Sequence, residues 1–379
     1  MKKKLVSLLT VSAMTIAMIT GCGSGAAETA TDTAEQAADA VAETADKAAD
    51  AVAETAEQAA DAVAETAGNA DLADKKVGVC IYQFADNFMT LFRTELENYL
   101  ISQGFSKDNI TIVDGANDQA TQTNQIQNFI TQGVDVLIIN PVNSSSAATI
   151  TDLVVGANIP LVYINREPDA DEEARWESNG WNVTYVGCDA RQSGTMQGEI
   201  LVDMGKDKID LNGDGKIQYI MIEGDPENVD AQYRTEFSVK ALEDAGWEVE
   251  ELDDQVGMWD QATAQQLVAN SLSAHPDTEV VFCNNDAMAL GALQSIEAAG
   301  RKVNEDIYLV GVDALTEALE DVLAGTMTGT VFNDHIAQSH GAADAAINFV
   351  TGAGNDYYIG CDYVKVTTDN AQSVLDSLK

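Results

Sequence analysis

Basic residues are scarce in this chain: 20 Lys and Arg stand against 62 Asp and Glu, for a formal net charge of -42. An acidic excess of that size repels nucleic acid and anionic lipid, and it speaks against anionic ligands unless a local basic pocket exists. Histidine is scarcer still. Of the three, His335 and His340 are five apart and do not share a helix face, and His275 precedes Pro276. No histidine-centred catalytic arrangement is legible there. Neither a GxGxxG segment nor a Walker A segment occurs, so the common phosphate-cradling loops are absent. No two of the five cysteines stand at metal-site spacing. Cys80, Cys188 and Cys283 sit inside apolar, strand-like runs, where cysteine usually acts as a small buried hydrophobe. With Cys361 they make four thiols, which in an exported protein fit either an anaerobic setting or a disulfide. Beyond the N-terminus no apolar run is long enough to span a bilayer.

The N-terminus carries an address. Lys2, Lys3 and Lys4 form a positive region, and Leu5 to Ile19 an apolar one. Ile19-Thr20-Gly21-Cys22 follows and looks like a bacterial lipoprotein signal, with Cys22 as the lipidated residue. A plain transmembrane anchor is the alternative, and the run is short for one. The expected organisation is therefore a signal peptide over residues 1–21 and a mature chain beginning at Cys22. That chain is held to the extracytoplasmic face of the cell membrane by lipid alone. Residues 22–74 are rich in Ala, Glu, Thr and Asp and repeat every eleven residues, as at Asp39, Asp50 and Asp61 and at Val41, Val52 and Val63. One Val per repeat is too little for a stable coiled coil. The segment reads as a disordered or partly helical spacer.

From Lys76 onward, short apolar runs alternate with helical patterns. Val77–Tyr82, Ile110–Val113, Val136–Ile139, Leu161–Ile164, Tyr219–Ile222, Val280–Phe282 and Ile307–Val310 are strand candidates; Phe88–Leu100 and Gln119–Thr131 are helix candidates. Uninterrupted apolar strands between helices predict an α/β fold whose parallel sheets are covered on both faces. A body of about residues 75–379 is long enough for two lobes.

Polar residues stand just beyond these strands. They are Asp86, Asn140, Asp230 and Arg234 (after Gly224-Asp225-Pro226), Asn284-Asn285-Asp286, Asp313, and, after the further run Thr328-Gly-Thr-Val-Phe332, Asn333-Asp334. Asp and Asn cap helices at such junctions. In open parallel sheets, however, ligands bind beyond the carboxyl ends of the strands, and here six ends carry such groups. Carboxylates and carboxamides pair with the hydroxyls of a neutral polyol, and Arg donates in a fork. Phe88 and Trp259 supply aromatic faces suited to the apolar faces of a sugar ring; core is the alternative for each, and the weaker one for Trp259, which lies between a polar turn and a helix.

A second motif is Asp210-Leu-Asn-Gly-Asp-Gly-Lys-Ile-Gln218. It reads as the first nine positions of a calcium loop. Asp210, Asn212 and Asp214 offer side-chain oxygens, Lys216 its carbonyl and Gln218 its side chain, and Gly215 permits the turn. Position twelve is Met221, whose thioether is a poor ligand for a hard cation. A closing carboxylate must come from elsewhere in the chain.

Four stretches in order carry a resemblance: Ile81-Tyr-Gln-Phe-Ala-Asp-Asn-Phe-Met89, Asp210–Gln218, Ala287-Met-Ala-Leu-Gly-Ala292 and Gly311-Val-Asp-Ala-Leu-Thr-Glu-Ala-Leu319. From about Val77 to the C-terminus the chain resembles the D-galactose/D-glucose-binding proteins, the periplasmic-type solute-binding proteins of ABC sugar transporters. The resemblance implies a monomer of two hinged lobes, one over 75–159 plus 334–366 and the other over 160–333 plus 367–379. The chain would cross between them near Asn158-Ile-Pro160, Asn333 and Val366. It implies sugar contacts at Asp86, Phe88, Asn140, Asp230, Arg234, Trp259, Asn285, Asp313 and Asn333, with the sugar passed to an ABC permease. Phe88 and Trp259 would sandwich the ring, and Asp86 would accept from the C4 hydroxyl of either epimer. Structural calcium would be held by Asp210, Asn212, Asp214, Lys216, Gln218 and Glu279, with Glu279 as the missing carboxylate. Asn228 stands where the family has a His, which bears on the contact near C6.

Other readings are weaker. Asp86, Asp230 and Asp313 could form a glycosidase pair, but nothing in the sequence sets their separation. A sugar-responsive transcription regulator needs a DNA-binding domain where this chain has a signal and a spacer. The serious alternative is a receptor feeding a chemoreceptor or a sensor kinase, since transport and sensing use the same sugar-bound form.

Overall fold

The computed structural model describes residues 72–378. The expected signal peptide, the lipid site at Cys22 and nearly all of the spacer lie outside the described residues. Within them, twelve strands run in chain order: β1 Val77–Ile81, β2 Ile110–Asp114, β3 Val136–Ile139, β4 Leu161–Ile164, β5 Val183–Cys188, β6 Lys216–Glu223, β7 Glu248–Val256, β8 Val280–Cys283, β9 Tyr308–Val310, β10 Thr330–Phe332, β11 Tyr358–Cys361 and β12 Val364–Val366.

They build two parallel sheets. The first has six strands in the order β11-β5-β4-β3-β1-β2, and the second has four in the order β7-β6-β8-β9. A short antiparallel ladder, β10-β12, adjoins the second through single bridges at Val310–Gly329 and Asp313–Phe332. Side chains alternate between faces along each strand, so each sheet feeds two cores. Val77, Val79, Ile81, Val136 and Ile138 enter one core, and Cys80, Leu137 and Ile139 the other. In the second sheet, Ile220, Ile222, Val281 and Cys283 face one side, and Tyr219, Met221, Val280 and Phe282 the opposite side. Strands buried on both faces need to be apolar throughout, and so they read as unbroken apolar runs.

The chain passes between the two halves three times. After β5 it enters the second half through the helix Ala190–Met204, which packs on the helix Val229–Asp244. It returns at Asn333 through the helix His335–Thr351, which packs on β3, β4 and β5. It leaves again between β11 and β12, and the helix Ala371–Ser377 packs on Thr316–Ala324. The crossing expected at Asn158-Ile-Pro160 is therefore misplaced: β4 and β5, residues 161–188, belong to the first sheet. Pro160 is no hinge, since its carbonyl accepts from Leu137 N at 3.0 Å and opens the β4 ladder. The last crossing lies between Cys361 and Val364, ahead of the expected Val366.

Among the described residues no helix is long and apolar enough to cross a membrane.

Candidate functional site

A cleft lies where the strand ends of both halves meet. Tyr82, Asp86, Phe88, Met89, Asn165 and Arg166 line it from the first half. Asn228, Asp230, Arg234, Trp259, Asn285 and Asp313 line it from the second, and Asn333 stands at a crossing. Nine of the ten expected sugar residues are thus brought together.

Three of them also cap helices. Asp86 Oδ1 accepts from Met89 N at 2.7 Å, and its Oδ2 accepts from the Tyr82 hydroxyl at 2.6 Å. Asn228 Oδ1 accepts from Asp230 N at 3.0 Å, and Asn285 Oδ1 from Met288 N at 2.9 Å. The cap and the cleft are compatible, because each cap occupies one lone pair and leaves further acceptor or amide donor capacity.

The second half supplies a buried charge cluster. Arg234 is 3% exposed, Asp230 3% and Asp313 5%. The guanidinium donates to Asn284 O at 2.8 Å and to the Tyr363 hydroxyl at 3.1 Å. It lies 3.9 Å from Asp313 Oδ1 and 4.0 Å from Asp230 Oδ2. Asp313 adopts φ +119°, a conformation rare for a residue with a Cβ, and accepts from Asn333 Nδ2 at 3.2 Å. Burial pushes the carboxyls of Asp230 and Asp313 up to about 6 and about 7, against the opposing pull of Arg234. Three polar atoms of the cleft are buried without a hydrogen-bond partner: Asp230 Oδ1, Arg234 Nε and Trp259 Nε1.

The aromatic pair comes from opposite halves. Phe88 follows the Asp86 cap, packs on Phe92 and meets His335 edge-on at 6.4 Å. Trp259 has φ +64° in the turn after β7, and the Arg234 guanidinium lies 5.7 Å from its ring centre. Gly224 gives the indole its room: a Cβ there would come within 2.1 Å of Trp259 Cζ2.

Asn140 is the one expected contact that does not line the cleft. It is fully buried behind it, accepting from Tyr82 N at 3.2 Å and donating to Ile164 O and Asn165 Oδ1, both at 3.1 Å. Its amide is consumed in holding neighbouring strand ends. Asn165, at the end of β4 with φ +61°, reaches the cleft instead, followed by Arg166. The strand-end rule could have found both, since Leu161–Ile164 runs directly into Asn165-Arg166. The Arg166 guanidinium stacks 3.7 Å from the Tyr82 ring centre, donates to Val142 O and lies 3.5 Å from Asp225 Oδ2 of the other half. Asn143 Nδ2 likewise donates across the cleft to Glu227 Oε2 at 2.6 Å.

The Asp210–Gln218 segment forms a tight loop leading into β6. Asp210 accepts from Gly213 N and Gly215 N, Asn212 from Asp214 N, and Asp214 from Lys216 N. Gly213 and Gly215 take φ +73° and +90°. Glu279, far away in sequence, lies against this loop. Its Oε1 accepts from Leu211 N and Asn212 N, and its Oε2 from Gln218 N. Among the described residues no set of three or more His, Cys, Asp or Glu groups gathers as a metal cluster. The loop's other offered donors are Asn212, Gln218 and the Lys216 carbonyl, oxygen ligands that suit a hard cation.

A family model described as a periplasmic binding protein domain matches residues 77–356. The D-galactose/methyl-galactoside binding periplasmic protein MglB of Haemophilus influenzae is 36% identical over 311 residues, covering 79% of this chain and 91% of that protein. A putative rhizopine-binding protein of Rhizobium meliloti is 33% identical, covering 78% and 90%. Among solved structures, an ABC transporter solute binding protein from Bacillus halodurans with bound myo-inositol superposes with a TM-score of 0.71. It is 27% identical and covers 81% of this chain and 99% of that one.

Proposed function

Because this chain belongs to the periplasmic sugar-binding proteins of ABC transporters, we propose that its cleft captures D-galactose or D-glucose for an ABC importer. Such proteins bind their solute and leave it chemically unchanged, so the cleft carboxylates act as hydrogen-bond acceptors and not as a hydrolytic pair. The observation that carries the sugar choice is the buried, partner-free set Asp230 Oδ1, Arg234 Nε and Trp259 Nε1, set beside an aromatic face from each half. An acceptor beside donors suits hydroxyls, which give and take at once. The Haemophilus relative, described as galactose-binding, supports the hexose.

In this reading Phe88 and Trp259 cover the two faces of the pyranose. Asp86, Asp230 and Asp313 accept from hydroxyls, and Arg234, Asn165, Asn228, Asn285 and Asn333 donate. Sugar bridging both halves favours the closed form by its differential affinity for that form. Calorimetry with galactose, glucose, ribose and myo-inositol tests the choice. Galactose or glucose should bind most tightly; a preference for myo-inositol would replace the hexose with a cyclitol.

Two further assignments belong to the same proposal. The Asp210–Gln218 loop and Glu279 hold a structural calcium ion, which ties two distant segments of the second half together. Cys22 carries the lipid that keeps the protein at the membrane, so Cys22→Ser should release it into the soluble fraction.

A further inference from the structure

Cys188 and Cys361 end neighbouring parallel strands and face each other in register. Registered residues on adjacent strands sit about 4.8 Å apart, within the roughly 4.4–6.8 Å that a disulfide spans between Cα atoms. Their side chains point to the same face and pack into the same core cluster. Their location is specific. β5 ends at Cys188 and β11 at Cys361, and each is the last residue of the first sheet before the chain crosses to the second half. Cys188 is buried, whereas Cys361 is partly exposed and borders a surface cavity with Asp189, Arg191 and Tyr358.

We propose that Cys188 and Cys361 form a disulfide that fastens two of the three crossings to each other. Both are thiols in this structure, and the family works outside the cytoplasm, where disulfides form and persist. The oxidant is an external disulfide. The accessible Cys361 thiolate attacks one of its sulfurs, which releases one thiol and leaves a mixed disulfide. Cys188 then loses its proton and attacks the Cys361 sulfur, which releases the second thiol. Two protein thiols are oxidised and one external disulfide is reduced to two thiols. Cys361 is partly exposed whereas Cys188 is buried, which fits Cys361 as the first nucleophile.

The bond would act next to the cleft. Two residues beyond Cys361, the Tyr363 hydroxyl accepts from Arg234 and its backbone N donates to Gln192 Oε1 at 2.6 Å. Gln192 lies in the helix that follows Cys188. Both crossings therefore converge on the residue that positions the cleft arginine.

The test treats the reduced full-length chain with oxidised glutathione, counts thiols after denaturation and maps peptides. The expected outcome is loss of two thiols, a cross-link between the Cys188 and Cys361 peptides, and release of two glutathione thiols per chain. Cys361→Ser should keep its Cys188 thiol, and Cys188→Ser should stop at a glutathione adduct on Cys361. The linked wild type should melt at a higher temperature, and dithiothreitol should reverse the shift. A wild-type chain that keeps all its thiols or stops at the adduct overturns the pair. A cross-link that leaves melting unchanged overturns its role as a restraint.

Discussion

Arg234 offers the sharpest test of how the cleft is held together. It is almost fully buried and faces two carboxylates at 3.9 and 4.0 Å, while its own hydrogen bonds go to Asn284 O and the Tyr363 hydroxyl. Arg234→Met keeps the bulk and removes the charge. Truncating one member of a buried charge cluster leaves the other charges uncompensated, which costs about 3–5 kcal/mol. That is a large share of the roughly 5–15 kcal/mol by which proteins are stable. The loss must also depend on pH. Asp230 and Asp313 already titrate at about 6 and about 7 in the folded protein, above the ordinary carboxylate value of about 3.9. The native state thus holds these protons longer than the unfolded chain. Their contribution to stability is fully present below the unfolded value and is lost as pH rises through the folded values. Without Arg234 both folded values rise further, so the variant's deficit should be small near pH 5 and grow as pH rises toward 8.

Urea unfolding of wild type and Arg234→Met across that range measures the deficit. Calorimetry with galactose measures the binding loss, expected at roughly 10- to 150-fold for one charge-assisted hydrogen bond of about 1.5–3 kcal/mol. A deficit that stays constant with pH would refute the electrostatic argument, and a variant within about 1 kcal/mol of wild type at pH 8 would refute the burial argument. Arg234→Lys should recover part of the stability and less of the binding, since a point charge cannot replace the fork.

Asp86→Ala should weaken galactose binding by roughly 10- to 100-fold and also cost about 1 kcal/mol of stability through the lost cap; calorimetry of Asp86→Asn, which keeps a cap, separates the two. A chelator should lower the melting temperature by removing an ion bound only to the folded state, and Glu279→Gln should blunt that response; no shift and no co-purifying metal would leave the loop a polar turn. Asn228 spends one lone pair of its Oδ1 on Asp230 N and keeps its amide donors free for the ligand. Asn228→His should therefore raise the penalty for fucose and arabinose relative to galactose, and equal discrimination in both forms would mean that residue 228 does not read C6.

The strands that built the two sheets were legible where both faces are buried, as at Val136–Ile139 and Val280–Cys283. β7, Glu248–Val256, was not. It is an edge strand with largely exposed side chains and five acidic residues, so it offers neither an apolar run nor a clean alternation. The lobe boundary failed for a different reason. The crossing near Asn158-Ile-Pro160 came with the family resemblance, but Pro160 opens an internal strand, a position where its missing N–H costs nothing. Sheet membership depends on which strands pair, and no local pattern around Asn158-Ile-Pro160 carries that information.

Asn140 and Asn165 show where the strand-end rule needs a second criterion. Both are asparagines one residue beyond an apolar strand of the same sheet, and sequence alone treats them alike. Asn140 follows β3, which has β1 and β4 on either side. Its amide is drawn sideways into the neighbouring strand ends at Tyr82 and Ile164 and has nothing left to offer. Asn165 follows β4, and its positive φ turns the chain so that it and Arg166 reach the cleft. Asp86, Asn228 and Asn285 form a third case, in which a cap fixes the side chain and leaves part of its hydrogen-bonding capacity facing the cleft. A side chain already held by a helix amide loses little further freedom when a ligand arrives, so capping lowers the cost of binding at these positions. The two explanations for a polar residue at a strand end, cap and contact, therefore reinforce each other here. What separates a contact from a support is how many of its hydrogen bonds the protein has already used.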